Sequence, residues 1–124
     1  MPAFTSLRLK HATQDLSDLA GCLKFPVGRI WRAGDDRKTT GGDPLEGKYQ
    51  ESYCVLKVMT ATGTIEGAIA EIHQAFACPA VRPLLAAPNL QKVLYCTLDS
   101  EGEVIGLTAL RTLVELGIEL EIAQ

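Results

Sequence analysis

The sequence predicts an α+β domain, a ferredoxin-like split β-α-β sandwich (βαββαβ) with an added C-terminal helix and strand. Three observations point to this class. Stretches that alternate with period two and stretches of helical period succeed one another as strand, helix, strand, strand, helix, strand, helix, strand. No internal repeat or low-complexity tract divides the 124 residues, so 1–124 reads as a single α+β domain of ordinary size. With 47% hydrophobic and 22% charged residues, the chain is able to bury one core without staples.

In FTSLRLKH, Thr5, Leu7 and Leu9 face one way and Ser6, Arg8 and Lys10 the other, as in a half-buried strand. The next segment, TQDLSDLAGCLKFP, places Leu16, Leu19, Ala20 and Leu23 at helical spacing, with Thr13 as the expected cap, Asp15 in the first turn and Pro26 beyond the end. VGRIWRAG, apolar at Val27, Ile30 and Trp31, is a brief second strand. In YQESYCVLKVMTA, Cys54, Leu56 and Val58 alternate with Tyr53, Val55, Lys57 and Met59. The second set is also mostly apolar, so a central strand with both faces at least partly covered is expected.

After the turn residues Thr62 and Gly63, Ile65, Ile69, Ile72 and Phe76 form the stripe of the main core helix. Pro79, Pro83 and Pro88 then impose a turn-like connection with one helical turn around Val81 to Ala86. QKVLYCTLDS is a further strand, closed by the turn DSEGE. In the last helix Thr108 is the expected cap, Leu110, Leu113 and Val114 the apolar face and Gly117 the stop. The final strand alternates Ile118, Leu120 and Ile122 with Glu119 and Glu121, and its acidic side discourages edge pairing.

Between the second and third strands lies DDRKTTGGDPLEGK, with glycines, a proline and almost no apolar side chains. Residues 32–48 are expected to be a mobile connection, and 36–47 poorly ordered without a partner. A phosphate cradle is not read here, because Lys38 precedes the glycine pair and no helix follows.

Charge and cysteine usage exclude several function classes. The net charge of −3 argues against general nucleic-acid binding. Residues 1–98 carry eleven Lys/Arg against nine Asp/Glu, while 99–124 carry Arg111 against six acids, a split between +2 and −5. A solvated acidic face explains the second part, and a docking patch for a basic partner is the alternative. Without a leader-like start or a long apolar run, a cytoplasmic location and no membrane contact are expected. Cys22, Cys54, Cys78 and Cys96 fall in apolar stretches with no Cys-x-x-Cys pair, so they are expected to be buried, unreactive free thiols, with no metal and no cofactor.

The run DLAGCLKFPVGRIWRAGD, then KYQESYCVLKV, then LTALRTLVELGIELEIAQ together resemble the uncharacterised bacterial family known as domain of unknown function 4279. In that family a helix ending in an apolar-x-Pro turn leads to a basic or aromatic strand ending Gly-Asp. A Tyr-x-x-Ser-Tyr-type strand follows, and near the C-terminus a leucine-rich helix runs into Leu-Gly-Ile and a last strand. Cys54 stands where the family commonly has a tryptophan. The resemblance implies a compact α+β domain and supplies no catalytic residue.

Candidate chemistry is sparse. His11 ends a strand, and His73 borders the apolar stripe of the core helix, where a boundary histidine is the simplest reading; a Cys–His pair would have to be made by the fold. Ser52 lies within a strand rather than on a nucleophile elbow. Asp35 and Asp36 point apart on an extended chain and read as the start of a turn. The residues singled out for ligand or partner binding are Arg29, Trp31, Arg32 and Tyr49, since arginine and tryptophan are favoured at binding hot spots. The competing reading has Trp31 plugging the end of the sheet with the arginines solvated.

The expected function is therefore a non-enzymatic binding or protein-interaction module, with a homodimer or another protein as partner and no catalytic residue. The alternative is a small-molecule-binding domain or small enzyme with a cleft near Trp31. If the helices pack on the side of Cys54, Leu56, Val58, Leu94, Cys96 and Leu98, then Tyr53, Val55, Met59, Val93, Tyr95 and Thr97 are left as a patch. Either the C-terminal helix or a second copy must cover it.

Overall fold

The computed structural model describes residues 4–39, 41–60, 62–97 and 103–123. The architecture is α+β. Five strands, β1 (Phe4–His11), β2 (Val27–Trp31), β5 (Ser52–Lys57), β6 (Gln91–Thr97) and β7 (Glu119–Ala123), form a mixed sheet in the order β2-β5-β1-β6-β7. All neighbours are antiparallel except β6 and β7, which run parallel. A separate two-stranded pair, β3 (Asp36–Lys38) and β4 (Pro44–Lys48), interrupts the passage from β2 to β5. The described helices are α1 (Ser17–Leu23), α2 (Ile65–Phe76), α3 (Arg82–Leu85) and α4 (Leu107–Leu116).

One face of the sheet is the floor of the core. Leu7, Leu9, Cys54, Leu56, Val58, Leu94 and Cys96 are all buried there, against Leu19, Ala20 and Leu23 of α1 and Ile65, Ala68, Ile69, Ile72 and Phe76 of α2. Their burial stabilises the fold by roughly 2 kcal/mol for each large side chain removed from water. The helical stripe of α2 is the one its spacing predicts. Its start is fixed by Thr64, whose Oγ1 accepts the Gly67 N–H at 3.0 Å, and by Glu103, whose Oε2 accepts the Ile65 N–H at 2.7 Å. Glu66 in turn accepts the Gly106 N–H, tying the entry of α4 to the first turn of α2.

Several elements differ from expectation. The first helix begins at Ser17 rather than after Thr13. The cause is His11, whose Nδ1 accepts the N–H groups of Thr13 (3.1 Å) and Gln14 (2.8 Å) and so holds 11–14 in a turn; Asp15 then accepts from Ser17 N (2.9 Å) and Oγ. Thr108 is not the cap of α4, since Gly106 occupies that position. Of the expected apolar face of α4 only Leu113 is buried; Leu110 and Val114 are exposed together with Leu107. The helix packs against α2 and β7 at the margin of the sheet, so a narrow side of it meets the core. Gly117 does end α4, at φ +68°, where a β-carbon is strained.

The segment expected to be a mobile connection is a β arm. Gly34 donates to Tyr49 O and Tyr49 N donates to Asp35 O, which continues the β2/β5 pairing outward into β3 and β4. Gly42, at φ +91°, makes the tip turn that Thr39 closes by accepting the Gly42 N–H at 2.9 Å. Leu98 and the turn at 99–102 lie outside the described residues.

Candidate functional site: the open face of the sheet

All the helices that contribute to the core do so on one side of the sheet, and α4 packs with α2 there, so the opposite face has no covering layer among the described residues. Period two dictates its membership. Residues directly opposite in a ladder share a face, and the registers place Arg8 beside Val55 and Val93, Lys10 beside Tyr53, Ser6 beside Lys57 and Tyr95, and Trp31 beside Tyr53. On β7, Glu119 and Glu121 pair with Val93 and Tyr95 and complete the face.

Cations lie over rings across this surface. The Arg8 guanidinium sits 3.9 Å from the Tyr95 ring centre, Arg29 4.7 Å from Trp31, and the Lys10 ammonium 5.5 Å from Tyr53. Lys10 also approaches Glu51 at 4.0 Å. Burial raises the Tyr53 hydroxyl above its ordinary pKa, against the opposing pull of Arg8 and Arg29. The Arg8 Nε is buried without a hydrogen-bond partner among the described residues. Ser6, beneath these side chains, is 2% exposed, so they pack on one another and shield the backbone.

At the β2 end this face meets the arm. Trp31 and Tyr49 stack with centroids 4.2 Å apart and planes 10° from parallel, Tyr53 lies tilted at 4.8 Å, and the Trp31 Nε1–H donates to Glu51 O at 3.1 Å. The Tyr49 hydroxyl donates to Lys38 O at 3.2 Å. Lys48 bonds Asp36 across the arm and holds that carboxyl below its usual pKa. Three of the four residues singled out from sequence, Arg29, Trp31 and Tyr49, thus come together. Arg32 does not join them; it is half-exposed and turns to Asp35 at 3.6 Å, whose carboxylate also accepts the Arg32 N–H. Open troughs of about 600 Å³ and 480 Å³ flank the Trp31–Tyr49 stack, the larger bordered by Arg37, Lys48 and Glu51 and the smaller by Arg29, Asp36 and Lys38.

Among the described residues the histidines and cysteines lie apart from one another. Both ring nitrogens of His11 are engaged by backbone: Nδ1 accepts two N–H groups, which makes Nε2 the protonated nitrogen, donating to Pro88 O at 2.9 Å. His73 is exposed on α2 beside Ile69 of the apolar stripe, so it faces water at the stripe's border. The four cysteines are free thiols, but only Cys54 and Cys96 are buried; Cys22 is half-buried and Cys78 is exposed, because it follows the last turn of α2 where the chain leaves the core. Burial pushes the Cys54 and Cys96 thiols up to about 11. Among the described residues no group of three or more His, Cys, Asp or Glu is placed to hold a metal ion, and no helix is long and apolar enough to cross a membrane. No family model, curated protein or solved structure matches the chain.

Arg8 and Lys10 were not legible as members of this site. Their side of β1 follows from alternation, but that β1 lies between β5 and β6, beside Tyr53 and Tyr95, is a matter of strand order.

Proposed function

We propose that this chain is a non-enzymatic protein-interaction module whose working surface is the open face of the sheet. The observation that carries this is the face itself: Val55, Val93, Tyr53 and Tyr95 stand half-buried in the middle of a sheet, bridged by Arg8 and Lys10 and with no helix over them among the described residues, while the other side of the same strands is closed. Aromatic and aliphatic side chains interleaved with arginine are the residue types enriched at protein contacts. The frame is read as a ferredoxin-like βαββαβ sandwich with α4 and β7 appended. The order β2-β5-β1-β6, with every neighbour antiparallel, supports that reading. Membership of the family of domain of unknown function 4279 goes with it, on the motifs at 18–35, 48–58 and 107–124.

A photo-crosslinking residue at Val93, with a control at the exposed Glu71 of α2, tests the surface in extract of the native cells. Protein adducts from position 93 but not from 71 are expected, and equal labelling, or none at 93, overturns the reading. The troughs beside Trp31 favour a second reading, a site for a planar anionic ligand held by Arg29, Arg37 and Lys48. Trp31 is the only tryptophan, so saturable quenching of its fluorescence by such a ligand would select this alternative.

A further inference from the structure

The open face is divided electrostatically along the strand order. Its β2, β5 and β1 side carries Arg29, Lys57, Arg8 and Lys10, and its β7 side carries Glu119 and Glu121. The register makes the division self-complementary. Across the sheet Arg29 lies opposite Val55, Val55 opposite Arg8, Arg8 opposite Val93, and Val93 opposite Glu119. This row reads cation, valine, cation, valine, anion.

A two-fold axis parallel to the strands and above β1 lays that row on its own copy end for end. Arg29 then meets Glu119 of the second copy, Val55 meets Val93, and Arg8 lies near the axis. Each Arg8 guanidinium already leans toward β6 over its own Tyr95 ring, so the two part to opposite sides. Lys10, also on β1, is turned the other way, over the Tyr53 ring of β5, so the two ammonium groups part as well. An axis running across the strands would instead set Arg29 on Arg29 and Glu119 on Glu119.

We propose, resting on the reading of the open face as an interaction surface, that its occupant is a second copy of this chain, docked face to face about an axis parallel to β1. The sheet edges do not compete. The β2 register breaks between Val27 and Arg29, a bulge at Gly28, and pairing of two β7 edges would bring Glu119 and Glu121 together. Five strands about 4.8 Å apart and about six residues long at roughly 3.3 Å each give a face of about 24 by 20 Å. A face of that size is no larger than the biggest patches of ordinary monomers, so the charge pattern rather than the area argues for the contact, and an isologous two-fold pair is the commonest soluble assembly. Single-stranded nucleic acid fits this face poorly. It needs free ring faces and a cationic track, whereas Arg8 covers Tyr95, Tyr49 and Arg29 cover Trp31, and two glutamates line one side.

Light scattering of the full chain over a concentration series tests the proposal, with the variants Arg29→Glu and Glu119→Arg. The wild type is expected at twice 13.4 kDa. Each variant alone sets like charges across both contacts and is expected to associate about tenfold more weakly or worse, because like-charge juxtaposition is strongly penalised. An equimolar mixture places opposite charges at both contacts and is expected to regain the dimer, which two misfolded variants would not do. A monomeric wild type, dimeric single variants, or a mixture that stays monomeric would each overturn the proposal. If the wild type is monomeric and position 93 still crosslinks to a different protein, the interaction surface stands and self-association falls. Saturable binding of a labelled single-stranded oligonucleotide, weakened by Arg29→Glu, would replace both.

Discussion

The two faces of the sheet are made by the same strands and follow opposite rules. On the helix side Leu7, Leu9, Cys54, Leu56 and Leu94 are fully buried, and their neighbours are mostly aliphatic. One residue further along each strand, Arg8, Lys10, Tyr53, Val55 and Val93 are half-exposed and meet one another through cation–ring contacts. Close packing decides the first face, so volume is what matters there. The second is built from side chains that keep a polar end in water while offering flat apolar area, which suits a surface that must be stable both bare and covered.

Two neighbours on β5, one on each face, differ most. Leu56→Ala on the closed face is expected to cost about 2–5 kcal/mol, because it empties a fully buried site. Val55→Ala on the open face is expected to cost about 1 kcal/mol or less, since the side chain is only half-buried. Urea unfolding of both variants checks this, at a protein concentration where association does not contribute. Equal losses would mean that the open face is covered within the monomer.

At the junction of open face and arm, Tyr49→Ala removes the stacking partner of Trp31 and the bond from the Tyr49 hydroxyl to Lys38. A loss of about 1 kcal/mol is expected, local to the arm. Limited proteolysis should then cut within 36–48 much faster than in the wild type, and Trp31 emission should shift to the red. An arm cut at the same rate in both would mean that the stack does not hold it.

Alkaline pH sharpens the contrast from the closed side. Burial raises Cys54 and Cys96 from 9.0 to about 11, so the folded chain keeps these protons after the unfolded chain has released them. Their contribution is complete below about pH 9 and is lost as pH rises toward 11, and thermal stability is expected to fall across that window. Replacing both cysteines by alanine should flatten the fall. The smallest effect is on reactivity alone: a thiol reagent should label Cys78 first, Cys22 more slowly, and Cys54 and Cys96 only on unfolding.

Periodicity made most of the frame readable. The alternation in FTSLRLKH assigned Leu7 and Leu9 to the core, and the Ile65-Ile69-Ile72-Phe76 stripe marked α2, because burial against one layer imprints its period on the chain. What was missed depends on contacts without a period. The arm is held by the Tyr49 hydroxyl, the Asp36–Lys48 pair and a stack on Trp31 rather than by apolar alternation, so its sequence reads as a loop. The start of α1 is displaced by a single histidine ring, and α4 lies at a sheet margin that its own apolar spacing does not reveal. The same holds for the site. Trp31 and Arg29 were marked by residue type and share a face because β2 is extended, whereas Arg8 and Lys10 enter only through strand order.

The proposed pair uses the open face of the sheet and not another apolar surface. The competing surface is the exposed stripe Leu107, Leu110 and Val114 on α4. Amide chemical shifts of the wild-type chain, followed from low to high micromolar concentration, distinguish the two directly. Concentration-dependent shifts are expected at Arg8, Tyr53, Val55, Val93, Tyr95 and Glu119, with α4 unchanged. Shifts confined to the α4 stripe, with the open face silent, would rule out the face-to-face pair.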